Sequence, residues 1–313
     1  MKGLPLSPLT LLLAAATSLS AMAADVRINQ TEINLAANAV PIHTPKNPQA
    51  IAEIPAGYQF AHPGEFTVAE SGSTEPPLSV VGDDNKTLLG SEPDIARLVA
   101  DSLGLKLRIV PTSWDDWPLG VVSGKYDAAI NNITVTRERK KKFDFVTYRK
   151  DLLAFYVKDS SRIKAISKPA DIAGLRIIVS SGTNQEAILL AWDKQNRSQG
   201  LAAFTPVYIQ DGASETLALQ SGRADAYFGP HVLGAWKAAK SGNERLVGSV
   251  DGGWPASAHI AVTLKKGSGL TKAIQTALNG VIANGDYQKV LNRWGEGLEA
   301  IPAAEINPPG LGD

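Results

Sequence analysis

From residue 66 onward the apolar residues fall in short blocks whose period keeps changing, and each change marks a new element. Residues 66–69 read as a strand. Pro93 opens a helix with Ile95, Leu98, Val99 and Leu103 on one face, and Gly104 can close it. Residues 105–110 alternate apolar and polar, as a half-buried strand does. Residues 127–130 form another strand, followed by a helix from Thr136, and the continuous apolar run 152–157 reads as a buried strand. The pattern then restarts: strand 175–180, helix 184–195, strand 207–209, helix 214–220, strand 224–228 and strand 259–264. Helices 270–283 and 287–294 close the body. In the first of them Leu270, Ile274, Ala277, Leu278 and Val281 are in phase. Alternation of this kind predicts an α/β fold with helix-covered sheets. Residues 24–62 carry scattered Asn, Pro and Ala without a sustained period and read as an extension that wraps the body. The Pro- and Gly-rich residues 301–313 read as an irregular tail.

The first residues bear on the compartment. Lys2, an apolar run over residues 11–16 and Ala21-Met-Ala23 have the layout of a cleaved signal peptide. The run is shorter than the roughly 20 residues a membrane span needs. With no cysteine, the chain uses no disulfide, thiolate metal site or lipid-modified cysteine. The mature chain is therefore expected free in solution, in a Gram-negative periplasm. Basic and acidic residues balance at 31 each, which leaves no global field to hold nucleic acid or an anionic membrane. No Walker loop, His-Glu-x-x-His or Gly-x-Ser-x-Gly occurs, and the four histidines are not at metal-ligand spacing. Binding is thus expected rather than catalysis, with no metal and no cofactor.

Three places could carry the chemistry. Arg139 follows a strand end and falls in the first turn of a helix that Thr136 can cap. There a planar guanidinium suits a bound carboxylate, although Arg137, Lys140, Lys141 and Lys142 also allow a plain solvated basic face. Ser181-Gly-Thr-Asn-Gln185 lies between a strand and a helix. Its Thr183 and Asn184 N–H groups can donate to an anion, or the segment is an ordinary turn. Trp114 sits just past a strand, where an aromatic can wall a ligand. Trp117 fits a core position better, because it opens an apolar run.

These features occur within a series of motifs in a fixed order. The series is Gly90-Ser-Glu-Pro-Asp-Ile-Ala96, Ser123-Gly-Lys-Tyr-Asp-Ala128, Ile133-Thr-Val-Thr-Arg-Glu-Arg139, Phe143-Asp-Phe145, Asp171-Ile-Ala-Gly174, Ser181-Gly-Thr-Asn184, Ser221-Gly-Arg-Ala-Asp225, and a stretch from Asn284 to Gly295 holding Gly-Asp-Tyr and Arg-Trp-Gly. Over residues 66–295 the chain resembles the bacterial extracellular solute-binding proteins of the polar amino-acid type. The resemblance implies a two-lobe periplasmic-binding-protein fold with two crossing strands and the ligand in the interlobe cleft. Residues 1–23 would be the signal peptide, 24–62 an extension, 63–155 and 257–300 lobe 1, 156–256 lobe 2, and 301–313 a tail. It places the carboxylate-clamping arginine on Arg139, a hydroxyl neighbour on Thr134, a carbonyl for the ligand's amino group on Asn132, and the aromatic wall on Trp114. The second-lobe anion turn falls on Thr183 and Asn184, with Gln185 beside it.

Two departures stand out. Gly229-Pro230 occupies the place where an ammonium-facing Asp is often found, and Ser71-Gly-Ser-Thr-Glu-Pro-Pro77 lacks the usual Asp and aromatic pair, so either Glu75 supplies the missing negative charge or the ligand lacks a free α-ammonium. The resemblance implies a monomeric periplasmic component of an ABC importer, which hands an amino acid or amino-acid-like carboxylate to an inner-membrane permease. The alternative is a periplasmic prephenate or arogenate dehydratase, which resembles the same family and uses a carboxyl group directly after the Gly-Thr-Asn turn. Here that position is Gln185, which is not an acid.

Overall fold

The computed structural model describes residues 26–71 and 75–313. The expected signal peptide, residues 1–23, and residues 72–74 lie outside the described residues. The chain begins with a hairpin, β1 (Val26–Ile28) and β2 (Thr31–Ile33), and two short helices, α1 (Leu35–Asn38) and α2 (Pro48–Ala52). The first lobe contains β3 (Glu65–Ser71), β4 (Val80–Val81), β5 (Leu88–Leu89), α3 (Ser91–Ser102), β6 (Lys106–Thr112), α4 (Trp117–Ser123), β7 (Ala128–Ala129), α5 (Arg137–Lys140) and β8 (Phe143–Lys150). The second contains β9 (Leu152–Lys158), β10 (Arg176–Val179), α6 (Asn184–Ser198), β11 (Thr205–Tyr208), α7 (Gly212–Gln220), β12 (Ala226–Pro230), α8 (His231–Ser241) and β13 (Glu244–Asp251). The chain then returns to the first lobe with β14 (His259–Lys265), α9 (Thr271–Asn284) and α10 (Asp286–Arg293).

The two five-stranded sheets share one plan. Their orders are β6-β3-β7-β14-β8 and β11-β10-β12-β9-β13. In each, the first three strands run parallel, and the returning strand (β14 or β9) lies antiparallel to its neighbours. An aspartate from the Asp-Ala motif of each lobe pins the first strand of that lobe's sheet. Asp127 accepts from the Thr67 N–H at 2.8 Å, and Asp225 from the Arg176 N–H at 2.8 Å. Two more motifs meet where Trp294 Nε1 donates to Asp94 at 2.8 Å, tying α10 to the start of α3. The repeated sequence motifs thus build the frame around the cleft.

The chain crosses between lobes twice, at Asp151 and again between β13 and β14. The first crossing lies earlier than the expected boundary at 155/156, because β9 pairs along its length with β12 and β13 of the second sheet. An unbroken apolar run gives no local sign of where a strand changes sheets. The expected helix at Thr136 is one turn, α5, before the chain enters β8.

The terminal segments are built into the body. Val26 and Ile28 are buried in the first lobe's core, and Asn29 Nδ2 donates to the Gly295 carbonyl at 3.0 Å. Trp236 of α8, a second-lobe helix, joins the same apolar cluster. At the other end, residues 305–307 run along β8 through backbone bonds to Thr147 and Phe145 and cover that sheet edge, and Leu311 bonds to Val135 and Arg137 at the start of α5.

Beneath the cleft lies a buried ionic cluster. Arg149, only 2% exposed, meets Glu92, Glu296 and Glu299. Burial pushes Glu296 up to about 7 and Glu299 up to about 8, against the opposing pull of Arg149. The folded chain therefore holds protons that an unfolded chain releases near pH 4.5, so this contribution to stability is present at low pH and lost as pH rises toward 8. The melting temperature is expected to fall between pH 5 and 8.5, and Glu299→Gln, which cannot ionise, to flatten that fall; calorimetry across the range checks it. A second prediction concerns Gly252, beside the first crossing. A Cβ there would lie 1.8 Å from Asp151 Oδ2 and 2.7 Å from its Cβ. Gly252→Ala should cost roughly 1–3 kcal/mol by overpacking, and Asp151→Ala in the same chain should recover part of that loss in a double-mutant cycle by denaturant melts.

Candidate functional site

A cavity of about 390 Å³ lies between the lobes. On the first-lobe side it is bordered by Ser71, Glu75, Trp114, Asn131 and Asn132, and on the second by the start of α6, the start of α7 and the end of β12. Strand ends and helix starts meet here because both sheets direct their parallel strands toward the cleft, the usual place for a ligand in open α/β sheets.

Six of the eight residues expected at the site border the cavity: Glu75, Trp114, Asn132, Thr183, Asn184 and Gln185. Asn132 adopts the left-handed backbone conformation, with φ 50°, which asparagine tolerates better than most residues. Its N–H donates to Glu92 at 2.9 Å and its side-chain oxygen accepts from Arg149, so the cavity floor belongs to the buried ionic cluster. Thr183 caps α6, accepting from the Glu186 N–H at 3.2 Å and donating to the Ser180 carbonyl at 2.7 Å. Gln185 is buried, and its Oε1 has no hydrogen-bond partner among the described residues. Trp114 lies 5.4 Å from the Arg139 guanidinium in a cation–π contact, whereas Trp117 is buried against Phe143.

Thr134 and Arg139 do not border the cavity. Arg139, expected to clamp a ligand carboxylate, already has partners within the chain. Its Nη1 donates to the Thr134 carbonyl at 2.9 Å, and its Nη2 crosses the cleft to the Gly182 carbonyl at 3.1 Å. Burial pulls its guanidinium down to about 10, with Asp151 acting in the opposite direction. A single-turn helix sums few peptide dipoles, so α5 itself adds little to hold an anion at Arg139.

Asp151 is the residue that sequence reasoning missed. Its Oδ2 accepts from Thr134 Oγ1 at 2.7 Å and from Asn184 Nδ2 at 2.8 Å, while Arg149 and Arg139 both favour its charged form. Burial is the larger influence and holds its carboxyl above the usual range. The residues expected to clamp a ligand carboxylate therefore already gather around a carboxylate of the chain itself.

The far end of the cavity is rich in charge. The Glu75 carboxylate lies over Gly212, where a Cβ would stand 2.4 Å from it. Lys237 is buried, pairs with Glu215 and sits 3.7 Å above the Tyr227 ring. Asp211 caps α7 through the Ser214 N–H at 2.8 Å. Pro230, in the place of an ammonium-facing acid, borders the cavity at the end of β12. Glu215 and Lys237 come from separate helices, and their pairing had no local sign in the sequence.

Known proteins resemble this chain in sequence and in fold. The model of the bacterial extracellular solute-binding proteins, family 3, matches residues 68–297. The L-cystine-binding protein TcyJ of Escherichia coli (strain K12) is 33% identical over 223 residues, covering 71% of this chain and 79% of its own. An ancestral arginine-binding protein bound to arginine is 25% identical, with a TM-score of 0.64 over 74% of this chain and 98% of its own. The ancestral amino acid-binding protein AncCDT-1, a precursor of cyclohexadienyl dehydratase, shares the fold at 24% identity and a TM-score of 0.62, over 74% of this chain and 95% of its own. The family match takes in the cavity, both sheets and both crossings, so the chain belongs to the bacterial extracellular solute-binding proteins, family 3.

Proposed function

We propose that the chain is the periplasmic solute-binding component of an ABC importer for an amino acid or a close relative of one, acting as a monomer that presents its solute to an inner-membrane permease. The observation that carries this reading is the cavity between two lobes held together across the cleft by Arg139 and Asn184. The relatives named for cystine and arginine support the solute class. The amino-terminal pattern, Lys2 with the apolar run and Ala21-Met-Ala23, supports export.

The dehydratase alternative has a shared fold in its favour. Its chemistry needs a carboxylic acid beside the Gly-Thr-Asn turn. Gln185 holds that position, and the neighbouring Glu186 turns its oxygens to the Gly182 N–H and the Tyr208 hydroxyl, at 2.7 Å each, on the exposed side of α6. Neither residue offers a proton to the cavity.

A solute that binds the closed form better than the open one draws the population toward closure and stabilises the fold. A thermal-shift panel of amino acids and their derivatives should contain at least one member that raises the melting temperature, and small-angle scattering with that compound should show a smaller radius of gyration. A panel without any shift would sink the reading. Arg139→Ala removes a bond that joins the lobes, so it should weaken solute binding by about 1 kcal/mol or more, roughly fivefold, and leave the circular dichroism spectrum unchanged. Arg137→Ala, on the exposed face of the same turn, should change neither; titration calorimetry on the two variants checks the difference.

A further inference from the structure

The side chains around the cleft decide which chemical class of solute it accepts. Arg139, Thr134 and Asn184, the residues that would hold a ligand carboxylate, are satisfied by groups of the chain. Thr134 and Asn184 bind Asp151, and Arg139 binds two backbone carbonyls. Asp151 has little freedom to leave. It is the single residue between β8 and β9, which belong to different sheets. Its N–H donates to the Ala258 carbonyl at 3.0 Å, and its carbonyl accepts from the Gly252 N–H at 2.9 Å. Gly252 is pressed against its side chain. A second carboxylate at this clamp would meet the first at short range in a water-poor setting, where like charges repel strongly.

The open part of the cavity asks for the opposite charge. Gln185 Oε1 is a buried acceptor without a donor among the described residues. Glu75, half-buried, makes no hydrogen bond or ion pair among them; burial raises its carboxyl, and the charges of Lys237 and Lys240 only partly oppose that. A cation placed between them would satisfy both. Among the described residues, Lys237 is the only basic side chain bordering the cavity, and Glu215 already holds it. Asn131 Nδ2, a buried donor without a partner among the described residues, suits a neutral carbonyl oxygen.

Building on the solute-binding reading, we infer that the solute is an amino-acid-derived cation, an ammonium or guanidinium compound whose carboxyl group is missing or masked as an ester or amide. Its charge lies toward Glu75 and Gln185, and Asp151 stands in the place of the carboxylate that an amino acid would bring. Asp151 is on this account a specificity residue: it rejects the free amino acid and accepts its decarboxylated or capped form.

Titration calorimetry on the exported chain with matched pairs tests this. The pairs are L-arginine with agmatine, L-lysine with cadaverine and L-cystine with cystamine, and L-arginine methyl ester is added as the masked carboxylate. In at least one pair the amine should bind tenfold or more tightly than its amino acid, and the methyl ester should bind more tightly than L-arginine. Asp151→Ala opens the clamp and should shift that preference at least tenfold toward the amino acid. Asp151→Asn, which keeps the shape and removes the charge, should shift it in the same direction and serves where the alanine variant does not fold. An amino acid that binds the unaltered protein more tightly than its amine overturns the inference and leaves the solute-binding reading standing. A preference unmoved by both substitutions overturns it as well. If no member of any pair binds, the inference falls, and the thermal-shift panel decides the solute-binding reading separately.

Discussion

Arg149 is a full positive charge with almost no contact with water, and much of the molecule is arranged to answer it. An isolated ion in such a place would cost far more than the net stability of a protein, so it is found paired or not at all. Its partners come from distant parts of the chain: Glu92 from the first turn of α3, and Glu296 and Glu299 from the segment after α10. Closing that network requires α10 to dock on α3, a contact that Asp94 and Trp294 also make. The same network reaches the cleft, because Arg149 and Glu92 together hold Asn132 in its left-handed turn. The cavity floor is therefore fixed by charge neutralisation beneath it, before any solute is present.

That arrangement separates two jobs that a solute often does at once. In a cleft whose arginine is open, the solute carboxylate both binds and draws the lobes together. Here the drawing together is partly done by the chain: Asn184 of the second lobe binds Asp151 and the Gly252 carbonyl at the crossings, and Arg139 of the first lobe binds Gly182 of the second. The solute is left with the cavity proper and its acidic end.

Much of the frame was legible in the sequence because one-faced apolar blocks report their own period. Helix α9 and strands β3, β9 and β14 fall within a residue or two of the pattern. Strand β8 was hidden because Phe143 follows a run of basic residues that continues the helical reading, and α8 because Gly229-Pro230 precedes it and Gly234 interrupts it. Of the six candidates that border the cavity, Trp114, Thr183 and Asn184 were legible because strand ends and helix starts are local features, whereas Glu75, Asn132 and Gln185 came from the family resemblance. Asp151 was not legible. It lies 17 positions from Thr134 and 33 from Asn184, and nothing beside it in the chain says that the folded crossing will carry it into their reach. Residue-by-residue resemblance proposes a clamp and is silent about a neighbour that fills it.

The amino-terminal hairpin has a mechanical consequence. It is buried against the first lobe at Gly295 and against Trp236 on a helix of the second. Two crossing strands alone define a hinge axis, about which one lobe can swing almost freely. A third point of support off that axis converts the swing into a constrained motion, since parting the lobes must either carry the hairpin along or peel Val26 and Ile28 from Trp236 and expose apolar surface to water. Such a brace works like a door closer: it resists the start of opening and lengthens the time a captured solute stays inside.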